Sequence, residues 1–264
     1  MRVNLFQVVT FAADLRHGNP AFVLTGVGNA SDEALKGACA LLRTDVVAVV
    51  GESANGEIPL RFFTSNGPHA GPGHSTLAAA HTVLRQGSTA LSANFKLSSG
   101  ESRPAYVEGD RIMAGFPLMP ETKVDCLTEM AAALGARPLE TWVAPFGYVA
   151  VFDDPSEVAG LEPDMEKVSA FDRSAVIATA SGNGTADIVI RTFAPNVGLP
   201  EDPVCGTAHR IIVPYWSSRL GKTNIHSRQL SPRGGDLYCE DRGNMVMIGG
   251  QTCLVIDGHL TLPN

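Results

Sequence analysis

The sequence has no basic cluster. Its 20 Lys and Arg residues are scattered among 27 Asp and Glu, for a net charge of −7 and a pI near 5.5. It therefore carries no electrostatic footprint for nucleic acid or an anionic membrane. No apolar run approaches membrane-spanning length. The stretch "MRVNLFQVVTF" enters a strand pattern directly, without the basic region, apolar core and small-residue cleavage site of a signal peptide. No CxxC pair occurs either: Cys39, Cys126, Cys205, Cys239 and Cys253 are odd in number and widely spaced, which fits reduced thiols better than a disulfide framework. A cytoplasmic protein acting on a small molecule is expected. "GESANGE" and "SGNGT" are turn signals, neither a GxGxxG nor a Walker loop, so no nucleotide or flavin cofactor is indicated. His69, His74 and His81 share a neighbourhood, but His81 falls on an apolar helical stretch seven residues after His74, so no metal set is expected.

What the chain does contain is length and repetition. Its 264 residues, 44% hydrophobic, suffice for one large domain or two modest ones. "RFFTSN" at 61–66 is answered by "RTFAPN" at 191–196. Each is followed by a loop, a glycine and a helix: "GPHAGPGHSTLAAAHTVLRQG" in the first half and "VGLPEDPVCGTAHRIIVPYWSSRLG" in the second. Downstream, "KLSSGESRPAYVEGDRIMAG" is answered by "QLSPRGGDLYCEDRGNMVMIG", both alternating with the period of hairpin strands. Three matches in one order, offset by roughly 130 residues, imply two similar halves.

Local patterns agree. Residues 2–9 and 20–26 read as strands around the turn "HGNP", Ser31 caps a helix in "SDEALKGACALL", and 45–50 and 58–64 read as strands. Pro117 and Pro120 punctuate the chain before the helix "LTEMAAALG". The domain boundary is placed there: 1–116, joined by about 257–264, against 117–256. Each half has one long helix that is apolar on nearly every side, which is the mark of a buried helix. The predicted class is α+β, with a curled sheet wrapped round a central helix, twice.

A helix amino terminus presents unpaired N–H groups and the positive end of the macrodipole, and a glycine there lets an anionic ligand approach the backbone. His74 after Gly73, and Asp202, Cys205, Gly206 and Thr207, stand at the two predicted starts. Thr207 is also a natural cap, and Asp202 precedes a proline that favours a turn. His209 and Arg210 are left open between a cleft and the core. Trp142 and Trp216 are read as packing residues.

These blocks resemble the PhzF-like family of phenazine-biosynthesis proteins, relatives of diaminopimelate epimerase. The resemblance rests on "HGNPAFV", on "FFTSNGPHAGPGHSTLAAAH" for the family's FTP...FAGHPTLGAAH, and on "EDPVCGTAHRIIVPYWSSRLGK" for its EDP-x-[TC]-G-[ST]-A-H...YW. It implies two barrel-like domains, each enclosing a helix, with the active site in the cleft between them, and a homodimer. It implies proton transfer by a glutamate in a Ser-Glu-Thr stretch, helped by His74, Asp202 and Thr207, with Gly73 and Gly206 as backbone donors. Counting back from "FFT" without a gap places Asp45 at the glutamate's position. Its side chain is shorter by one methylene, about 1.5 Å of reach, and misplacement near 1 Å can cost on the order of a hundredfold in rate. Pro72 likewise stands where the family has a small residue.

The leading expectation is a cofactor-independent isomerase in secondary metabolism, with Asp45 moving a proton on a small carboxylic acid. A base near neutrality needs burial or a like charge to raise an Asp pKa. A racemase or epimerase with two facing cysteines would place one at Cys205 and the other at Pro72, which has no proton to exchange. That leaves Cys205 as a pocket-lining residue or a lone acid-base thiol. A small-acid-binding protein without turnover is the third alternative.

Overall fold

The computed structural model describes residues 1–86 and 89–262. The chain divides into two compact units, Met1–Gly115 with Gly249–Asn264, and Phe116–Ile248. Sequence had put the return to the first unit near 257, and the contacts put it at Gly249. Positions 263 and 264 of that expected segment lie outside the described residues.

The first unit is built from β1 (Arg2–Thr10), β2 (Asn19–Thr25), α1 (Asp32–Leu42), β3 (Val47–Val50), β4 (Ile58–Thr64), β5 (Gly67–His69), α2 (Gly73–Arg85), β6 (Ser92–Leu97), β7 (Ser102–Glu108) and β8 (Arg111–Pro117). The second follows with β9 (Thr122–Val124), α3 (Leu127–Leu134), β10 (Glu140–Val143), β11 (Gly147–Val151), α4 (Pro155–Ala159), α5 (Met165–Ser169), β12 (Ala175–Ser181) and β13 (Ile188–Phe193). After a 3-10 turn at Pro195–Val197 come α6 (Gly206–Leu220), β14 (Asn224–Gln229), β15 (Gly235–Asp241) and β16 (Met245–Thr261).

In the first unit the strands run β1-β2-β3-β4-β6-β7-β8-β16, and β16 pairs back to β1, closing an 8-stranded barrel. Closure removes free edges. The β1–β16 ladder slips once, between Gln7 and Val8, a bulge of the kind that bends a strand around a barrel. In the second unit the order is β9-β10-β11-β12-β13-β14-β15-β16. Strand orientations match step for step. The antiparallel β1–β2 corresponds to β10–β11, the parallel β2–β3 to β11–β12, the antiparallel β3–β4 to β12–β13, the parallel β4–β6 to β13–β14, and the antiparallel β6–β7 to β14–β15. A parallel step needs a crossover. The chain supplies helices at these steps, α1 and α2 in one unit and α4, α5 and α6 in the other.

Two of these helices are central. Leu77, Ala78, Ala79 and Ala80 of α2 are fully buried, and α2 packs on β1, β2, β3, β6 and β7. Its alanine run lets strands approach on every side, as the apolar pattern predicted. In α6, Ala208, His209, Ile211, Ile212 and Val213 are likewise buried. Outer helices form a second layer. Leu35, Ala38 and Cys39 of α1 pack with Val3, Leu24, Val47 and Phe63, while Met130 and Leu134 of α3 pack with Val158, Val168, Val176 and Phe193.

The repeat extends to single side chains. The Arg61 guanidinium lies 5.0 Å from the Phe63 ring centre, and Arg191 lies 4.9 Å from that of Phe193. Arg61 pairs with Asp32 in the first turn of α1, whereas Arg191 donates to the carbonyls of Val158, Ala159 and Leu161 around the end of α4 and pairs with Glu201. Pro214 sits inside α6 and lacks the N–H that the Arg210 carbonyl would otherwise accept. Met119 N–H takes that carbonyl at 3.1 Å, and Arg210 Nε donates to Pro117 O at 2.8 Å. Arg210, left open by sequence, thus ties down the start of its own unit.

Candidate active site

The two central helices, α2 and α6, start without the side-chain cap that Ser31, Asp154 and Asp164 supply to α1, α4 and α5; α3 likewise starts uncapped, at Cys126, but has no glycine in its first turn. The cap position of α2 is Pro72 and that of α6 is Cys205. Thr207 is therefore not the cap that sequence suggested; it lies one residue inside the helix, because the extended residue that starts α6 is Cys205. The first-turn N–H groups at both starts are left without a side-chain cap, as an anion site requires.

In the first unit, Thr64 accepts from Asn66 N–H and donates to Gly67 O, setting the turn after β4. Gly71 follows with φ 90°, and a Cβ there would overlap the Phe62 ring; only glycine lets this backbone lie on that ring. Its N–H donates to His69 Nδ1 at 3.0 Å. Thr76 donates through both N–H and Oγ1 to Pro72 O. Buried Arg103, paired with Glu101, donates to Thr76 Oγ1 at 3.0 Å and to Gly71 O at 3.4 Å. Gly73 is buried and His74 half-buried in the first turn. Burial, then the nearby His69, pull the His74 imidazole down to about 4, so it is neutral at pH 7. His81, farther along α2, is a core residue that bonds Thr252 Oγ1 at 2.7 Å.

Asp45 lies in the bend between α1 and β3, with its side chain exposed. The burial that a base near neutrality asks for is not present there. Nearby, the Cys39 thiol donates to Thr44 O at 2.9 Å, and burial, then the Asp45 charge, push that thiol up.

In the second unit, Asp202 donates its N–H to Thr192 O at 2.9 Å and accepts from Val204 N–H through Oδ1 at 3.1 Å. This is the Asx turn its Asp-Pro sequence favoured. Cys205 is 3% exposed. Burial, then the Asp202 charge, raise its thiol well above the ordinary range, against the backbone N–H groups of Ala208 and Thr207. Gly206 is buried and Thr207 half-buried.

Sequence reasoning missed what holds this start in place. Gln229 donates through Nε2 to Asp202 O at 2.6 Å and accepts from Cys205 N–H through Oε1 at 2.8 Å. Ser231 donates to Pro203 O at 2.5 Å. His209 is a core residue, with Nδ1 on Cys205 O and Nε2 on Ser227 Oγ, both at 2.8 Å. The carbonyl can only accept, so Nδ1 carries the proton and Nε2 accepts from the serine. The signal was present in β14, where Ile225, Ser227 and Gln229 alternate as the buried positions; two polar residues on an inward face imply partners inside.

Among the described residues, the buried hydroxyls without a protein partner are those of Ser75 in the first turn of α2, of Thr192, whose carbonyl holds Asp202, and of Tyr215 farther along α6. Among the described residues, no three His, Cys, Asp or Glu side chains gather as a metal set.

A family model described as phenazine biosynthesis-like protein matches residues 8–258. The chain belongs to the PhzC-PhzF family. An uncharacterized isomerase of Pseudomonas aeruginosa is 35% identical over 99% of this chain and 100% of its own length, and a second from the same organism is 32% identical over the same shares. A crystal structure of a PhzF-family phenazine biosynthesis protein from Enterococcus faecalis superposes with a TM-score of 0.92 at 32% identity, covering 99% of this chain and 100% of that one. These relatives place the chain among the isomerases. A hydroxyproline epimerase from Agrobacterium vitis, with a TM-score of 0.63 at 12% identity over 100% of this chain and 93% of that one, shares the fold alone. No helix among the described residues is long and apolar enough to cross a membrane.

Proposed function

We propose that this PhzF-family isomerase shifts a double bond in a small carboxylic acid of a biosynthetic pathway by moving a proton, without a cofactor. The observation that carries the reading is the pair of helix starts of like construction. Both lack a side-chain cap and have a buried first glycine, and each carries an acid-base side chain, His74 in one and Asp202 in the other. Gly73 and Gly206 let a substrate carboxylate approach backbone N–H groups, and Thr207 donates its hydroxyl. Neutral His74 relays the proton at neutral pH. Asp45 is the proton carrier. Being exposed in the free protein, it acquires the dry surroundings a base needs only when substrate covers it.

The lone-thiol racemase is the weaker reading. Cys205 is held protonated by burial and Asp202, so little thiolate is available as a base.

The test is deuterium uptake from heavy water by a set of unsaturated small acids, read by mass spectrometry. Uptake should occur with the parent protein and vanish in Asp45→Asn, because the amide keeps the shape but cannot take the proton. Loss in Cys205→Ser with Asp45→Asn tolerated would favour the thiol mechanism. Binding of an acid without exchange in the parent would favour the small-acid-binding alternative.

A further inference from the structure

We propose that Gln229 is a positioning residue of the isomerase, setting the geometry of Asp202 and of the α6 start; this rests on reading that start as the carboxylate site. Gln229 is 1% exposed, at the end of β14, on the same inward face as Ser227. Its amide spans the turn 202–205. Nε2 donates to the Asp202 carbonyl at 2.6 Å and Oε1 accepts the Cys205 N–H at 2.8 Å. The two ends of the turn are therefore fixed by one planar group, and the Gly206 and Thr207 N–H groups follow directly from the second end. Leu230 N–H donates to Ile190 O at 2.8 Å, anchoring the strand that carries Gln229 to β13. Asp202 N–H is held by Thr192 O on that same strand.

Only a side chain with both a donor and an acceptor in one plane can do this, which is why an inward strand position carries an amide. A hydrophobic side chain of similar length would take the partner from a buried N–H and a half-buried carbonyl. A carboxylate would satisfy the N–H but set negative charge against the Asp202 carbonyl. When protonated, it would again offer one donor and one acceptor. The arrangement therefore makes a specific demand that bulk packing does not.

The test compares the full-length parent with Gln229→Met and Gln229→Glu by amide hydrogen exchange of residues 202–208, and by NMR titration with benzoate as a simple carboxylate probe. In Gln229→Met the Cys205 to Ala208 amides should exchange about tenfold faster, with exchange elsewhere in the chain little altered, and benzoate should bind about tenfold more weakly. In Gln229→Glu both properties should follow the methionine variant at about pH 8 and return toward the parent as the pH is lowered to about 5, because burial at this position raises the new carboxyl above the ordinary value of about 4.3. Asp202 and His209 border the same turn and are common to all three proteins, so the parent measured at both pH values supplies the reference. A merely structural role would loosen the whole unit and would not recover with acid. A methionine variant that matches the parent, or a glutamate variant that does not follow pH, overturns the proposal. If the parent fails to bind benzoate, the carboxylate reading of the α6 start falls, and the exchange data alone decide the role of Gln229.

Discussion

His209 has no exposed surface, donates to a carbonyl and accepts from a hydroxyl, and burial pulls it down to about 4. The fold therefore favours the neutral ring. The unfolded chain binds the proton near 6.5, so this contribution is fully present above that value and is lost as pH falls from 6.5 towards 4. Its size is ~3 kcal/mol by the usual linkage. His74 and His81 are lowered to about 4 as well and add in the same direction. Urea unfolding at several pH values should show stability falling steeply through this window. His209→Gln, less stable at neutral pH, should show a shallower decline. A second residue-scale prediction concerns Asp45. Its side chain is exposed, so Asp45→Glu should change stability by less than about 0.5 kcal/mol. Any change in deuterium uptake by that variant then reports on the reach of the carboxylate. A twofold-or-smaller rate change, by contrast, would show that reach is not limiting.

At the scale of elements, the start of α2 depends on a contact that only glycine permits. Gly71→Ala would set a methyl into the Phe62 ring at a positive φ, and it should cost on the order of 2–3 kcal/mol. The damage should be local, with the amides of His74 and Ser75 losing protection before those of Leu77 to Ala80, as hydrogen exchange would show. The two starts also mark how far sequence could see. Ser31 was legible as a cap because its hydroxyl acts on its own neighbour, Ala34 N–H, at 3.2 Å. Thr207 has the same chemistry but lies inside its helix, because the loop before it is held by Gln229, Ser231 and His209, two of them more than twenty residues downstream. Local patterns do not carry such long-range partners.

For the whole molecule, the first unit is assembled from both ends of the described chain, whereas the second is continuous. Strand β16 pairs with β1 from Arg2↔Thr261 to Thr10↔Thr252 and closes the barrel. A chain ending at Ile248 would leave β1 with an open edge and remove the Thr252 partner of His81. Such a truncation should abolish amide protection in β1, β2 and α2 and promote association through the exposed edge, while strands β10 to β13 keep theirs. Equal loss of protection in both units would show that the second does not hold its structure alone.

Hydropathy and glycine placement sufficed for two repeats, a buried helix in each, and a glycine at each helix start, because alternation, helical periodicity and backbone permissiveness are local properties. The family resemblance then assigned roles to His74, Asp202 and Asp45. Tertiary structure alone decided the rest: that Cys205 rather than Thr207 begins α6, that Asp45 is exposed, that Arg103 and Gln229 brace the two loops, and that the chain re-enters its first unit at Gly249. These depend on which donor meets which acceptor across strands distant in sequence, and only the folded sheet of each unit sets those distances.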